Sequence, residues 1–121
     1  SKEPLFSIDE RMKMIEKSVK DLNNVEVDHF EGLLVEFISA KGAQVIVKGL
    51  RALSDFEYEF QMAILNRKLN SNIETIFMMT NYKYSYLSSS MVKEIAALGG
   101  SIEGLVPDVV IQDILEKFRA M

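Results

Sequence analysis

Apolar positions follow two alternating rhythms along this chain: stretches spaced by three and four residues, and short β-branched or unbroken apolar runs. Ser7-Ile8-Asp9-Glu10 fits a capping box, with the Ser7 hydroxyl and the Glu10 carboxylate each satisfying a free backbone N–H of a helix start. Ile8, Met12, Ile15, Val19 and Leu22 then predict an amphipathic helix with one buried stripe, ended by Asn23-Asn24. Val25-Glu26-Val27 alternates like a short strand. Leu33 to Ile38 predicts a second helix, with Gly42 just past its end. Gln44 to Val47 reads as a buried parallel strand broken by Gly49, and a helix follows from about Asp55 to Leu69 with Phe56 and Phe60 on its core face. Glu74 to Thr80 predicts another buried strand whose methionines fill the core. Asn81 to Tyr86 reads as a loop, and Met91 to Ala96 as a helix ending at Gly99-Gly100. Pro107 suits the first position of a last helix carrying Val110, Ile114, Leu115 and Phe118 on one face.

Helix and strand in this alternation predict an α/β fold with a parallel sheet and covering helices. The three predicted strands make a thin sheet for such a fold. The opening Ser1-Lys2-Glu3-Pro4 resembles a loop interior and lacks an initiator Met, which points to a fragment.

The length of 121 residues fits one domain, spanning 1–121. A formal charge of −4 gives no signal for nucleic acid or an anionic membrane, so any phosphate binding must come from a local cluster. The absence of cysteine removes disulfides, thiolate nucleophiles and Cys-ligated metals. No apolar run reaches transmembrane length and no signal peptide opens the chain, so a cytoplasmic protein is expected.

Candidate chemistry is sparse. Lys48 and Arg51 fall, with Gly49, in the turn between a predicted strand and helix. Ligands of open α/β sheets bind beyond strand carboxyl ends, so these residues suit an anionic, phosphate-like ligand, or are simply solvated cations. Ser88-Ser89-Ser90 at a helix start is either an anion site or an ordinary cap. Glu59 lies beside the predicted core face, as a partly buried carboxylate near a ligand or as a solvated one. His29, the single histidine, has no nucleophile partner and reads as a surface or turn residue.

Lys48-Gly49-Leu50-Arg51, followed by Asp55-Phe56-Glu57-Tyr58-Glu59 and Asn66-Arg67, resembles the central motif of the bacterial phosphopantetheine adenylyltransferase family. Further motifs agree in order. Ser1 to Ser7 is similar to the family's Lys-containing loop, and Val25 to Val27 with Phe30 to Leu34 to its next strand and helix. Tyr84 to Ser90 with Val92-Lys93-Glu94 is similar to its serine-rich nucleotide loop, and Gly99-Gly100 with Gly104 to Pro107 to its C-terminal turn.

The resemblance implies a Rossmann-like, doubly wound parallel sheet with helices on both faces, its N-terminal strands missing from this sequence. It implies transfer of AMP from ATP to 4′-phosphopantetheine, giving dephospho-coenzyme A and pyrophosphate in coenzyme A synthesis. It places Lys2, Leu34 and Lys48 against phosphopantetheine, and Gly49, Leu50, Arg51, Glu59, Tyr84, Ser85, Tyr86, Leu87, Ser88, Ser89 and Ser90 against ATP, with Lys2 and Arg51 catalytic. It also implies Mg2+ carried with ATP but no dedicated metal site, coenzyme A or its dephospho form as product or feedback ligand, and a hexamer. Two departures stand out. Lys48 replaces the family's usual Arg and loses its bidentate fork. The Thr/His-x-Gly-His motif is absent, so a chain beginning at Ser1 is expected to give little or no adenylyl transfer, a loss on the order of a hundredfold or more. Two other readings stay open: a different nucleotidyltransferase of the superfamily, and an inactive nucleotide-binding or assembly fragment.

Overall fold

The structure, a computed structural model, describes residues 3–51 and 53–121. The elements run α1 (Ile8–Val19), α2 (Leu34–Ala40), β1 (Val45–Leu50), α3 (Leu53–Leu69), β2 (Glu74–Met79), a 3-10 turn (Tyr82–Tyr84), α4 (Ser89–Ala97) and α5 (Asp108–Arg119). They group into two compact units. One comprises 1–29 with 87–121, and the other 30–86.

In the sheet-containing unit β1 and β2 pair in parallel, from Val45 opposite Glu74 to Leu50 opposite Met79. The chain is therefore α/β with a parallel sheet, as its helix–strand rhythm predicts. Alternation puts Ile46, Lys48, Thr75 and Phe77 on one face. Ile46 and Ile73 join Val35 and Ile38 of α2 in a buried cluster, and Phe77 meets the Phe56 ring of α3 edge-on, 5.9 Å between centroids. The other face is bare: Val47 is 61 % exposed and Met78 59 %. The expected buried strand over 74–80 with core methionines is corrected by this: Ile76 and Met78 lie on the uncovered face, and Met79 is exposed at the strand end. Helix α2 ends as its glycine predicts. Gly42, at φ 71°, donates to the Ser39 carbonyl and Ala43 to that of Ile38.

Two strand expectations change. Gly49 does not break β1; it pairs with Met78 and the strand continues to Leu50, so Lys48 lies in the strand and not in a turn. Val25 to Val27 forms no strand among the described residues. Three alternating residues offer little apolar surface, and among the described residues no strand pairs with them.

The other unit packs α1, α4 and α5 around Val92, Ala96, Ile102, Val110 and Ile114, with Met14, Ile111 and Phe118 against them. The capping box of α1 is realised: Glu10 N donates to Ser7 Oγ at 3.1 Å and Ser7 N to Glu10 Oε1 at 2.8 Å. The predicted stripe is not. Ile8, Ile15 and Leu22 remain exposed, the helix stops at Val19, and Met14 makes the core contact. Much of the docking is polar, through Lys117 Nζ at 2.9 Å from each Glu10 oxygen and Lys17 on Asp113 at 2.6 Å. Pro107 caps α5 from outside, one position before the expected one, because its ψ of 137° is extended; Asp108 takes the first helical position. The structure closes α4 with Gly99 at φ 82° and Gly100, where a Cβ would stand 2.8 Å from Ile95 Cγ2.

The Glu10 carboxyl is held below its ordinary value of 4.5, first by the Ser7 N–H it accepts and then by the Lys117 ammonium. A depressed native value means its stabilising contribution is present above the unfolded value and is lost as pH falls through the folded one. Thermal melts from pH 6 to 3 should show Tm falling below about pH 4.5. That slope should be shallower in Glu10→Gln, which can still accept from Ser7 but carries no charge. Equal slopes in the two proteins would assign the acid sensitivity elsewhere.

Candidate functional site

Four of the candidate residues, Lys48, Gly49, Leu50 and Arg51, lie at the carboxyl end of β1. Lys48 shares the covered sheet face with Phe77, so its side chain runs toward α3. There Glu59 meets it, with 3.3 Å between Nζ and Oε2. Arg51, immediately past the strand, places Nε 3.0 Å from Asp55 Oδ2 on the first turn of α3. Asp55 and Glu59 are four residues apart and thus share one flank of the helix. Each carboxylate holds one cation of the strand end. Glu59 is partly buried, as one of its two sequence readings anticipates.

Gly49 and Leu50 are the last two residues of β1. A Cβ at Gly49 would meet only Thr80 Oγ1, at 3.9 Å, so no packing in this structure demands glycine there. Its side faces the bare surface of the sheet, where backbone can be approached closely. Thr80 N donates to the Leu50 carbonyl at 3.0 Å, which extends the pairing by one bond beyond the strands. The chain then turns through Tyr82–Tyr84, where Asn81 Oδ1 accepts from Lys83 N. Tyr84, Ser85 and Tyr86 follow β2 in the same unit, with Ser85 Oγ donating to the Tyr82 carbonyl at 2.9 Å. Leu34 opens α2 and packs on the Val35–Ile46 cluster.

Leu87 and Ser88 to Ser90 belong to the other unit. Leu87 packs on its core. Ser88 is the N-cap of α4, its Oγ accepting from Met91 N at 3.2 Å, while Ser89 and Ser90 stand exposed on the first turn. Ser88 thus has an ordinary capping duty, and the two hydroxyls beside the helix's positive end face solvent. Lys2 lies outside the described residues. His29 is exposed. Among the described residues no group of three or more His, Cys, Asp or Glu side chains could hold a metal ion. No helix is long and apolar enough to cross a membrane.

Sequence reasoning singled out Lys48, Arg51 and Glu59 as candidates but did not name Asp55 as a partner of Arg51. The signal was present in the i, i+4 spacing of Arg51 and Asp55.

Lys48 and Arg51 thus stand at the carboxyl end of a parallel strand, the end beyond which open α/β sheets bind ligands. Residues 1–95 match the family model described as cytidylyltransferase-like. The chain is 60 % identical over 116 residues to a phosphopantetheine adenylyltransferase of Clostridium novyi (strain NT), covering 96 % of this chain and 72 % of that protein. It is 57 % identical over 119 residues to that of Caldanaerobacter subterraneus subsp. tengcongensis, covering 98 % and 74 %. The corresponding figures for Clostridium tetani are 61 % over 116 residues, 96 % and 72 %. The chain belongs to the phosphopantetheine adenylyltransferase family.

If Ser88 acts on α4 chiefly as a cap, Ser88→Ala should cost about 1 kcal/mol of stability. Ser89→Ala and Ser90→Ala should stay within about 0.5 kcal/mol. Urea unfolding of the three variants checks this, and equal losses in all three would contradict it.

Proposed function

We propose that this chain, as part of one nucleotidyltransferase-type domain, transfers AMP from ATP to 4′-phosphopantetheine, yielding dephospho-coenzyme A and pyrophosphate. The observation that carries the reading is the pair of cations at the carboxyl end of β1, Lys48 and Arg51, in a chain 57–61 % identical to three proteins bearing that enzyme's name.

The reaction is an in-line displacement. An oxygen of the acceptor phosphate attacks the α-phosphorus of ATP, the new P–O bond forms, and the bond to the pyrophosphate oxygen breaks. Such chemistry requires alignment and stabilisation of charge on phosphoryl oxygens, with no covalent enzyme intermediate. Arg51 is assigned to the nucleotide phosphates, where its planar fork suits two oxygens at once. Lys48 is assigned to the acceptor phosphate as a point charge, together with Lys2 and with Leu34 on the pantetheine side. Gly49, Leu50 and Glu59 are assigned to the nucleotide, with Tyr84 to Ser90; the hydroxyls and free N–H groups at the start of α4 suit its phosphates. Mg2+ would come with ATP and would offset charge on its phosphates, since this ion favours substrate phosphates and retained waters over all-protein sites; no residue of this chain is assigned to hold it. The same reading extends to coenzyme A or dephospho-coenzyme A as product or feedback ligand, to a cytoplasmic site of action and to a homo-hexamer.

The intact protein should release pyrophosphate from ATP only when 4′-phosphopantetheine is present, and not with nicotinate mononucleotide. Arg51→Ala should lower kcat/KM about a hundredfold or more, while its melting temperature falls only slightly, because Arg51 and Asp55 form an exposed pair. Turnover with nicotinate mononucleotide would favour another nucleotidyltransferase. Normal nucleotide binding without pyrophosphate release would favour a binding or assembly fragment.

A further inference from the structure

Lys48 and Glu59 are each the other's single ion-pair partner among the described residues, and under the proposed function they serve different substrates. Their contact is loose. At 3.3 Å it exceeds the 2.7–2.9 Å of a tight charge-assisted hydrogen bond, one carboxylate oxygen is engaged, and the side chains are 41 % and 23 % exposed. The neighbouring Arg51–Asp55 pair is shorter, at 3.0 Å, and lies within one turn of chain. An acceptor phosphate and the Glu59 carboxylate are both anions seeking the same ammonium. They repel each other, and a carboxylate left beside the phosphate weakens its binding.

We infer that Glu59 is a positioning residue that couples the two substrates through its hold on Lys48. Hydroxyl or amino donors of the nucleotide engage the Glu59 carboxylate, the ion pair opens, and the Lys48 ammonium turns to the acceptor phosphate. Nucleotide therefore strengthens acceptor binding, and linkage requires acceptor to strengthen nucleotide binding by the same factor. The device depends on lysine. An arginine, the residue usual in the family, presents a fork of donors that can serve carboxylate and phosphate together, so it has less to exchange. The inference rests on the proposed assignment of Lys48 to the acceptor and Glu59 to the nucleotide.

Calorimetric titration of the intact protein with 4′-phosphopantetheine tests it, with and without saturating α,β-methylene-ATP and Mg2+. In the unmodified protein the analogue should tighten acceptor binding about fivefold or more. In Glu59→Gln the acceptor should bind at the tighter level with or without analogue. In Lys48→Arg the enhancement should shrink. The reverse titration should return the same coupling factor, which a merely structural role of Glu59 would not affect. Full enhancement in Glu59→Gln, or in Lys48→Arg, overturns the inference while leaving the proposed function standing. Failure of either ligand to bind the unmodified protein overturns both.

Discussion

The in-register parallel pairing of β1 with β2 sets the position of every candidate residue in its unit. Because Ile46 lies opposite Thr75 and Lys48 opposite Phe77, one strand face supplies both the apolar anchor and the cation. Ile46 packs on α2, and Lys48, two residues along, points the same way and meets α3. A slip of one residue would turn Lys48 to the bare face, away from Glu59, and would expose Ile46. The packing that fixes the register therefore also fixes the charge geometry of the site.

Local signals were legible where short-range chemistry decides the structure. The Ser7–Glu10 box, the positive-φ glycines 42 and 99 and the helix expected from about Asp55 to Leu69 all follow from neighbours within a few residues. Failures occurred where partners distant in sequence decide. Val25 to Val27 alternates like a strand yet has no paired neighbour among the described residues. Ile76 and Met78 read as core because apolar runs usually mean burial, but helices of the unit cover only one side of their sheet. Gly49 shows the opposite error. Glycine weakens strands on average, but ladder bonds on both sides of it keep this one regular. Within the site, Lys48, Arg51 and Glu59 were recoverable from residue type and motif, whereas their pairing depends on where α3 comes to lie.

Helix docking in the other unit shows how an amphipathic pattern can be overridden. α1 carries no fully buried residue although its apolar spacing is regular. Its Glu10 meets Lys117, its Lys17 meets Asp113, and the Lys117 ammonium also lies 5.4 Å from the Phe6 ring centroid. These contacts are partly solvated, so each adds little by itself. They specify the rotation of α1 about its axis, which turns Met14 inward and leaves Ile8 and Ile15 outside. The same carboxylate that caps α1 also grips α5, so helix initiation and helix docking are linked through one side chain.

The electrostatics at the end of β1 bear on how a chain of net charge −4 can attract phosphates. Lys48 and Arg51 lie beside the carboxylates of Glu59 and Asp55, which offset the field the two cations project into solvent. Long-range steering of a polyanion by this strand end is weakened accordingly. Under the proposed function, affinity arises at contact, through exchange of carboxylate partners for phosphate oxygens. The matching carboxylates have a compensating role. They hold two long, entropically costly side chains in the sheet–helix crevice before ligand arrives, so less ordering remains for the binding step. Placing both carboxylates on one flank of α3 ties that order to the helix itself, and so to the strand register on which the helix packs.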